Sequence, residues 1–282
     1  MSPVLTAGDE VLLAFAGLGA GLVNGAAGGG TLISFPALLA VGYPALTANV
    51  TSTVGIWSGY LGGSAGFRSE VGDQRSRLRS LGPGVVAGAV VGGILLLTTP
   101  SNDFKILAPY LLLLSCTLFA VQPLLTARLR AGRAAAPPAG SHGPAGTVAG
   151  PPVVPQMTAQ EPASSLNRLG LQAGCFLGAV YGAYFGAGLG VVFLAVLGLA
   201  LPDPLLRING LRSVLALVVN TVAVVIFVVH AHVAWDAAGL MAGAALVGGY
   251  VGARIARRVP TWLLRTVILA LGLATAARLL IG

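Results

Sequence analysis

Hydrophobic positions run along this chain in continuous blocks rather than in alternation. Apolar stretches near 20 residues recur at Thr47–Phe67, Leu81–Thr99, Phe104–Gln122, Val214–Val229, Ala237–Gly252 and Thr261–Ile281. Each is long enough to cross a bilayer as a helix, which takes roughly 17–25 residues. A transmembrane β-barrel would need alternating apolar and polar positions and is excluded. Two further stretches are apolar but interrupted. The first contains "NGAAGGGTLISFPALL", Asn24 to Leu39; the second contains "GAYFGAGLGVVFLAVL", Gly182 to Leu197. The pattern predicts an all-α polytopic membrane protein.

Between the blocks, residues 126–169 change character. Pro, Gly and Ala dominate and hydrophobic periodicity stops, which reads as a flexible linker outside the membrane. It divides the chain into a first transmembrane repeat, 1–125, and a second, 170–282. Sliding one over the other gives a register of 160 residues: Asn49 falls on Asn209, Gly28 and Gly30 on Gly188 and Gly190, Pro44 on Pro204, Gly88 and Gly92 on Gly248 and Gly252, Pro100 on Pro260. The matches fall on special backbone residues, as an internal repeat requires. Each half is then a glycine-broken or re-entrant hairpin, with arms of roughly 12–14 residues, followed by three spans.

Charge fixes how the halves face. Of the 282 residues 56% are hydrophobic and 9% charged, with 16 Lys and Arg against 8 Asp and Glu. A net charge of +8 invites a nucleic-acid reading, but the basic residues sit in short loops between spans. With the linker in the cytoplasm, inverted halves place Arg68, Arg75, Arg77, Arg79, Arg128, Arg130, Arg133, Arg168, Arg207, Arg212, Arg254, Arg257, Arg258 and Arg265 on the cytoplasmic side. Lys105 and Arg278 fall outside, a split of 14 to 2. Parallel halves would give 9 to 7. The positive-inside rule selects inverted topology, with the N-terminus outside.

Gly17, Gly21, Gly25 and Gly29 fall every fourth residue, as do Gly178, Gly182, Gly186 and Gly190. Such stripes serve close helix packing and leave room for a homodimer. Three glycines in a row, Gly28, Gly29 and Gly30, also weaken the helix by about 1 kcal/mol each against Ala. An unwound turn at membrane depth is tolerated only where the backbone lines a polar cavity or contacts a ligand. A half-helix N-terminus there offers donors to an anion. Paired interruptions in two halves point to a transporter site near the midplane.

The polar residues near the breaks are the candidate ligands. "TANVTST" follows the first break and "RINGLRS" the second. Asn49, Ser52 and Thr53 in one superpose on Asn209, Arg212 and Ser213 in the other. Caps are the plain reading of the Asn, Ser and Thr residues. Arg212 is sharper: a guanidinium at the start of an apolar run needs a partner, and its fork of donors matches a sulfonate, sulfite or carboxylate. Snorkelling to headgroups is its alternative. Asn220, eight residues on, shares its helical face. Asn24 and Tyr184 hold equivalent places before the breaks; Trp57 and Tyr60 read either as lining the pathway or as packing, the usual role of aromatics in spans. Cys116 and Cys175 read as buried small hydrophobes. His230, His232 and Trp235 read as an interfacial belt rather than a metal site, and no cofactor is implied. All acidic residues fall in termini, loops or linker, so a transported proton would travel on the substrate or at the membrane edge.

The two halves "GLVNGAAGGGTLISFPALLAVGYPALTANVTSTVGIW" and "GAYFGAGLGVVFLAVLGLALPDPLLRINGLRSVLALVVN" resemble the TauE/SafE family of sulfite exporters. The resemblance implies an inner-membrane permease for small sulfur-containing oxyanions, such as sulfite or sulfoacetate. It carries over Gly28–Gly30, Gly188, Gly190, Asn49, Ser52, Asn209 and Arg212 as site positions. The partners expected are a small anion and the lipid bilayer. The alternatives are an anion channel, an uptake permease for another organic anion and, further off, a membrane-embedded lipid phosphatase. The last would need buried carboxylates or a His nucleophile.

Overall fold

A computed structural model of the chain describes residues 3–26, 28–65, 74–134, 165–255 and 261–281. The described residues form ten helices: α1 (Ala7–Ala26), α2 (Thr31–Val41), α3 (Ala45–Ala65), α4 (Arg75–Thr98), α5 (Ser101–Ala134), α6 (Ser165–Tyr184), α7 (Leu189–Ala200), α8 (Leu205–His230), α9 (Trp235–Ile255) and α10 (Thr261–Ile281). α4, α8 and the Ser101–Leu129 part of α5 are long and apolar enough to cross a membrane on composition alone. α3 carries Thr47, Asn49, Thr51, Ser52 and Thr53 in its first three turns, which dilutes its apolar signal.

Both interruptions are real. α1 stops before Gly28–Gly30 and α2 starts after them; α6 and α7 flank Phe185–Gly188 in the same way. Gly28 and Gly188, equivalent in the 160-residue register, share a left-handed backbone, φ 76° and 78°. The arms differ from the expected 12–14 residues on each side. α1 and α6 have 20 residues each, while α2 and α7 have 11 and 12. Polar flanks such as Gly8–Glu10 and Ser165–Arg168 join the first arms, because helix formation does not require apolar residues. α2 and α7 rise about 17–18 Å at 1.5 Å per residue, short of a hydrocarbon core of about 30 Å.

The expected linker is shorter than 126–169. α5 continues to Ala134 and α6 begins at Ser165; "LLTARLRAGRA" is rich in strong helix formers. Its remainder, 135–164, and Arg68, Arg257 and Arg258 lie outside the described residues.

Packing follows one scheme twice. α1 lies on α9 as α6 lies on α4; α3 lies on α9 as α8 lies on α4; α2 meets α10 as α7 meets α5. α3 pairs with α8, and α5 with α10. Exchange of the halves maps these pairings onto themselves, and α3 with α8 forms the centre. Glycines set the close approaches. A Cβ at Gly92 would land on the Val180 carbonyl, and one at Gly248 on that of Leu18. Phe35 of α2 stacks edge-on against Phe185 of the second break at 5.5 Å.

The interior is apolar, and so is much of the outer surface. Val90, Val91, Ile94, Leu95, Val225, Val228, Val229, Leu246 and Val247 face outward, while Asn24, Asn49, Thr51, Ser52, Ser115, Arg212 and Asn220 are buried. A surface of this kind needs lipid as its solvent. This is a multi-pass membrane protein.

Candidate functional site

Each element at the centre brings one part of the site. α1 ends with Asn24 close to the first break. Its Oδ1 accepts the Gly30 N–H at 2.7 Å, which ties the start of α2 back to α1. The Gly28 N–H reaches back to the Val23 carbonyl at 2.9 Å. The left-handed turn at Gly28 then faces its carbonyl across the molecule, where it accepts the Gly190 N–H at 3.3 Å. The two broken segments thus touch backbone to backbone. Only glycine permits it: a Cβ at Gly28 would lie 2.7 Å from Gly190 Cα.

Arg212 completes the junction. It sits two turns into α8, is 3% exposed, and its Nη1 donates to the Gly190 carbonyl at 3.1 Å. Tyr60 of α3 interacts with both Arg212 and the Asn220 side chain. Asn24, Gly28, Tyr60, Gly190, Arg212, Ser213 and Ala216 enclose a cavity of about 10 Å³. That is room for about one water. The Nδ2 of Asn24 is buried there with no hydrogen-bond partner. An unfilled buried donor carries a desolvation cost unless something occupies the space beside it.

The structure therefore brings Asn24, Gly28, Gly190, Arg212 and Ser213 together, with Asn220 adjacent through Tyr60. The other candidates stand outside the lining. Asn49 donates through Nδ2 to the Tyr184 carbonyl at 2.9 Å, bridging the halves. Thr53 Oγ1 returns its bond to the Asn49 carbonyl at 3.0 Å. Ser52 pairs with Ser34 at 2.6 Å, and Ser34 Oγ donates to the Gly30 carbonyl at 3.3 Å. Trp57 Nε1 donates to Thr221 at 2.9 Å. Tyr184 turns its hydroxyl to Thr99 at 3.3 Å and its ring to Phe104, away from the cavity. Gly29 backs onto the Phe119 ring and Gly188 onto Ser115; Asn209 is half-buried on α8.

One expectation needs correction. The unwound turns were to leave N–H groups open for an anion, but those of Gly28, Gly30 and Gly190 are spent within the protein, on Val23, Asn24 and Gly28. The reason is steric: with three glycines the segments approach closely enough to satisfy each other. Hydroxyls outside the predicted set brace the second break. Ser115 Oγ donates to the Ala187 carbonyl at 3.1 Å and the Tyr181 hydroxyl to the same oxygen at 2.5 Å. In sequence both resemble ordinary helical residues, and only their distance from an unwound segment distinguishes them.

At one end of the molecule Arg77, in the first turn of α4, pairs with Asp203, and Gln74 donates through Nε2 to the Arg207 carbonyl at 3.0 Å. At the equivalent corner of the other half, Ala234 N–H donates to Thr51 Oγ1 at 3.1 Å. Among the described residues no three His, Cys, Asp or Glu side chains come together as a metal would require.

Among the described residues the lining is thus a guanidinium, an amide, a phenol and a hydroxyl, with two peptide groups and no carboxylate. Such a set is complementary to an oxyanion. Comparison with curated proteins and with solved structures gives no match. The family model for "Sulfite exporter TauE/SafE" matches residues 13–279, a span that includes both breaks and every lining residue. The chain belongs to the TauE/SafE sulfite exporter family, a family of membrane transporters for sulfite and related anions.

Proposed function

We propose that the protein exports small sulfur oxyanions, sulfite or an organosulfonate such as sulfoacetate, across the inner membrane by alternating access. The anion sits between repeats 1–125 and 170–282 at the junction of the two breaks. The observation that carries this reading is Arg212: a guanidinium on a residue only 3% exposed, delivered to the point where Gly28 meets Gly190. An ionisable group inside a membrane bundle is costly and marks a substrate path. The cavity of about 10 Å³ is too small for a sulfur oxyanion. At this junction the halves are closed on each other, Gly190 N–H on the Gly28 carbonyl. Parting the halves releases the Gly190 N–H from Gly28 and adds it to the donors of Arg212, Asn24 and Ser213.

A thermal-shift panel of sulfite, sulfoacetate, sulfate and acetate tests the site. At about 100 times Kd a ligand stabilises the native state by about 2.7 kcal/mol, which is a rise of several degrees in Tm. The expected result is that rise for wild type with sulfite or sulfoacetate, none for Arg212→Ala and a partial one for Arg212→Lys. Equal stabilisation of wild type and Arg212→Ala contradicts the site.

Inverted topology follows from the charge split, and the matching packing and φ angles of the halves support a two-fold relation. The linker and Arg79 then lie in the cytoplasm, and the α8–α9 turn and the N-terminus outside. Single cysteines at exposed Arg79 and His232, with Cys116 and Cys175 replaced by Ser, are expected to label from opposite sides of oriented vesicles. Labelling from the same side contradicts inversion.

A further inference from the structure

We infer that the junction takes its anion as a monoanion, so that sulfite is carried as hydrogensulfite and brings its own proton. This rests on the anion site proposed above. Among the described residues, Arg212 is the one cation in the lining, and no carboxylate lines the cavity. Asn24 and Ser213 contribute neutral dipoles, and the Tyr60 phenol is neutral near pH 7. Charge then decides between substrates. The site carries one positive charge, that of Arg212, whose Nη1 donates to the Gly190 carbonyl. A monoanion brings the sum to zero; a dianion carries it past zero and leaves a net negative charge away from water.

An uncompensated charge in such surroundings is neutralised by taking a proton where one is available. Sulfite offers that route, because its second ionisation lies near neutral pH. Sulfate does not, because its second ionisation lies far into acid. A sulfonate is a monoanion throughout. Each hydrogensulfite that crosses ionises on the far side to sulfite and a proton, so one proton accompanies two negative charges. No side chain of the protein needs to relay it.

The groups packed around Arg212 agree with this assignment. α3 presents Tyr60, α1 presents Asn24, and α7 presents the Gly190 backbone and has no ionisable side chain. Of the other neighbours of α8, α4 carries Arg75, Arg77 and Arg79 in its first turns, and α6 carries Arg168, Cys175, Tyr181 and Tyr184. Asp9 and Glu10 stand at the end of α1 remote from Asn24, and Asp203 is engaged by Arg77.

Isothermal titration of the full-length protein in nanodiscs with methanesulfonate, sulfite and sulfate, from about pH 6 to about pH 9, tests the inference. Methanesulfonate affinity should stay flat. Sulfite affinity should fall about tenfold for each pH unit above its second ionisation. Sulfate should bind at least about tenfold more weakly than methanesulfonate at every pH. Sulfite affinity that holds or rises with pH, or sulfate matching methanesulfonate, overturns the inference while leaving the anion site standing. A parallel fall for methanesulfonate and sulfite places the titration on the protein and overturns it as well. If none of the three binds at any pH, the anion site itself fails and takes the inference with it.

Discussion

Gly28→Ala is expected to fold and to lose transport. Two effects act at this position. The backbone is left-handed, φ 76°, which costs a residue with a Cβ about 1–2 kcal/mol. The added methyl also meets Gly190, 2.7 Å from its Cα and 3.2 Å from its N, with Arg212 Nη1 at 3.7 Å. Backbone cannot swing aside as a side chain can. The two breaks must separate, the Gly28–Gly190 hydrogen bond is lost, and the closed form becomes inaccessible. Gly42→Ala separates the two effects, because Gly42 is also left-handed, φ 101°, and a Cβ there meets nothing within 4 Å. Both variants should lose about the same 1–2 kcal/mol from strain. Only Gly28→Ala should reduce sulfite flux in proteoliposomes, by more than about tenfold, the factor that each further 1.4 kcal/mol imposes. Equal flux in the two variants would remove the junction from the mechanism.

The second large effect is on assembly. Gly92→Leu drives a side chain into the Val180 carbonyl, and Gly248→Leu into that of Leu18. These contacts hold α4 against α6 and α9 against α1, the two equivalent packings between halves. Overpacking costs about 1–3 kcal/mol where neighbours can yield, and here the neighbour is helix backbone, so each variant should reach or exceed the top of that range. Gly84→Leu is the internal control: it lies two turns before Gly92 on the same stripe, yet a Cβ there meets nothing within 4 Å. Fluorescence-detected size exclusion after heating should show a fall of several degrees in Tm for Gly92→Leu and Gly248→Leu and little change for Gly84→Leu. A similar loss in all three would mean that helix propensity, not the approach of the halves, sets stability.

Much of this was legible in the sequence because it depends on backbone chemistry. Glycine clusters announce breaks, and the 160-residue register pairs Gly28 with Gly188, which share a left-handed backbone in the structure. Arg212 stood out because an apolar run gives a guanidinium few places to go. The side-chain partners were less legible. Asn24 and Tyr184 are equivalent in register, but the Asn24 amide oxygen accepts the Gly30 N–H, whereas Tyr184 accepts from Asn49 through its backbone carbonyl and turns its hydroxyl to Thr99. Position along a chain fixes where a residue stands, while size and donor geometry fix what it touches. Ser52 and Thr53 show the same limit. A hydroxyl in a helix has a nearby carbonyl four residues back, and Thr53 uses that of Asn49. Helix ends were misjudged for a related reason: hydrophobicity marks where lipid begins, and the Arg-rich start of α4 and the tail of α5 continue as helix beyond it.

The central claim is that an oxyanion lodges where the two broken helices meet. Selenite, the selenium analogue of sulfite, makes this visible. Crystals of the protein grown with selenite and measured at the selenium absorption edge should show an anomalous peak about 3–4 Å from the Arg212 guanidinium, between Gly28 and Gly190. A peak at any other place in the bundle, with the junction still closed on itself, would contradict the account.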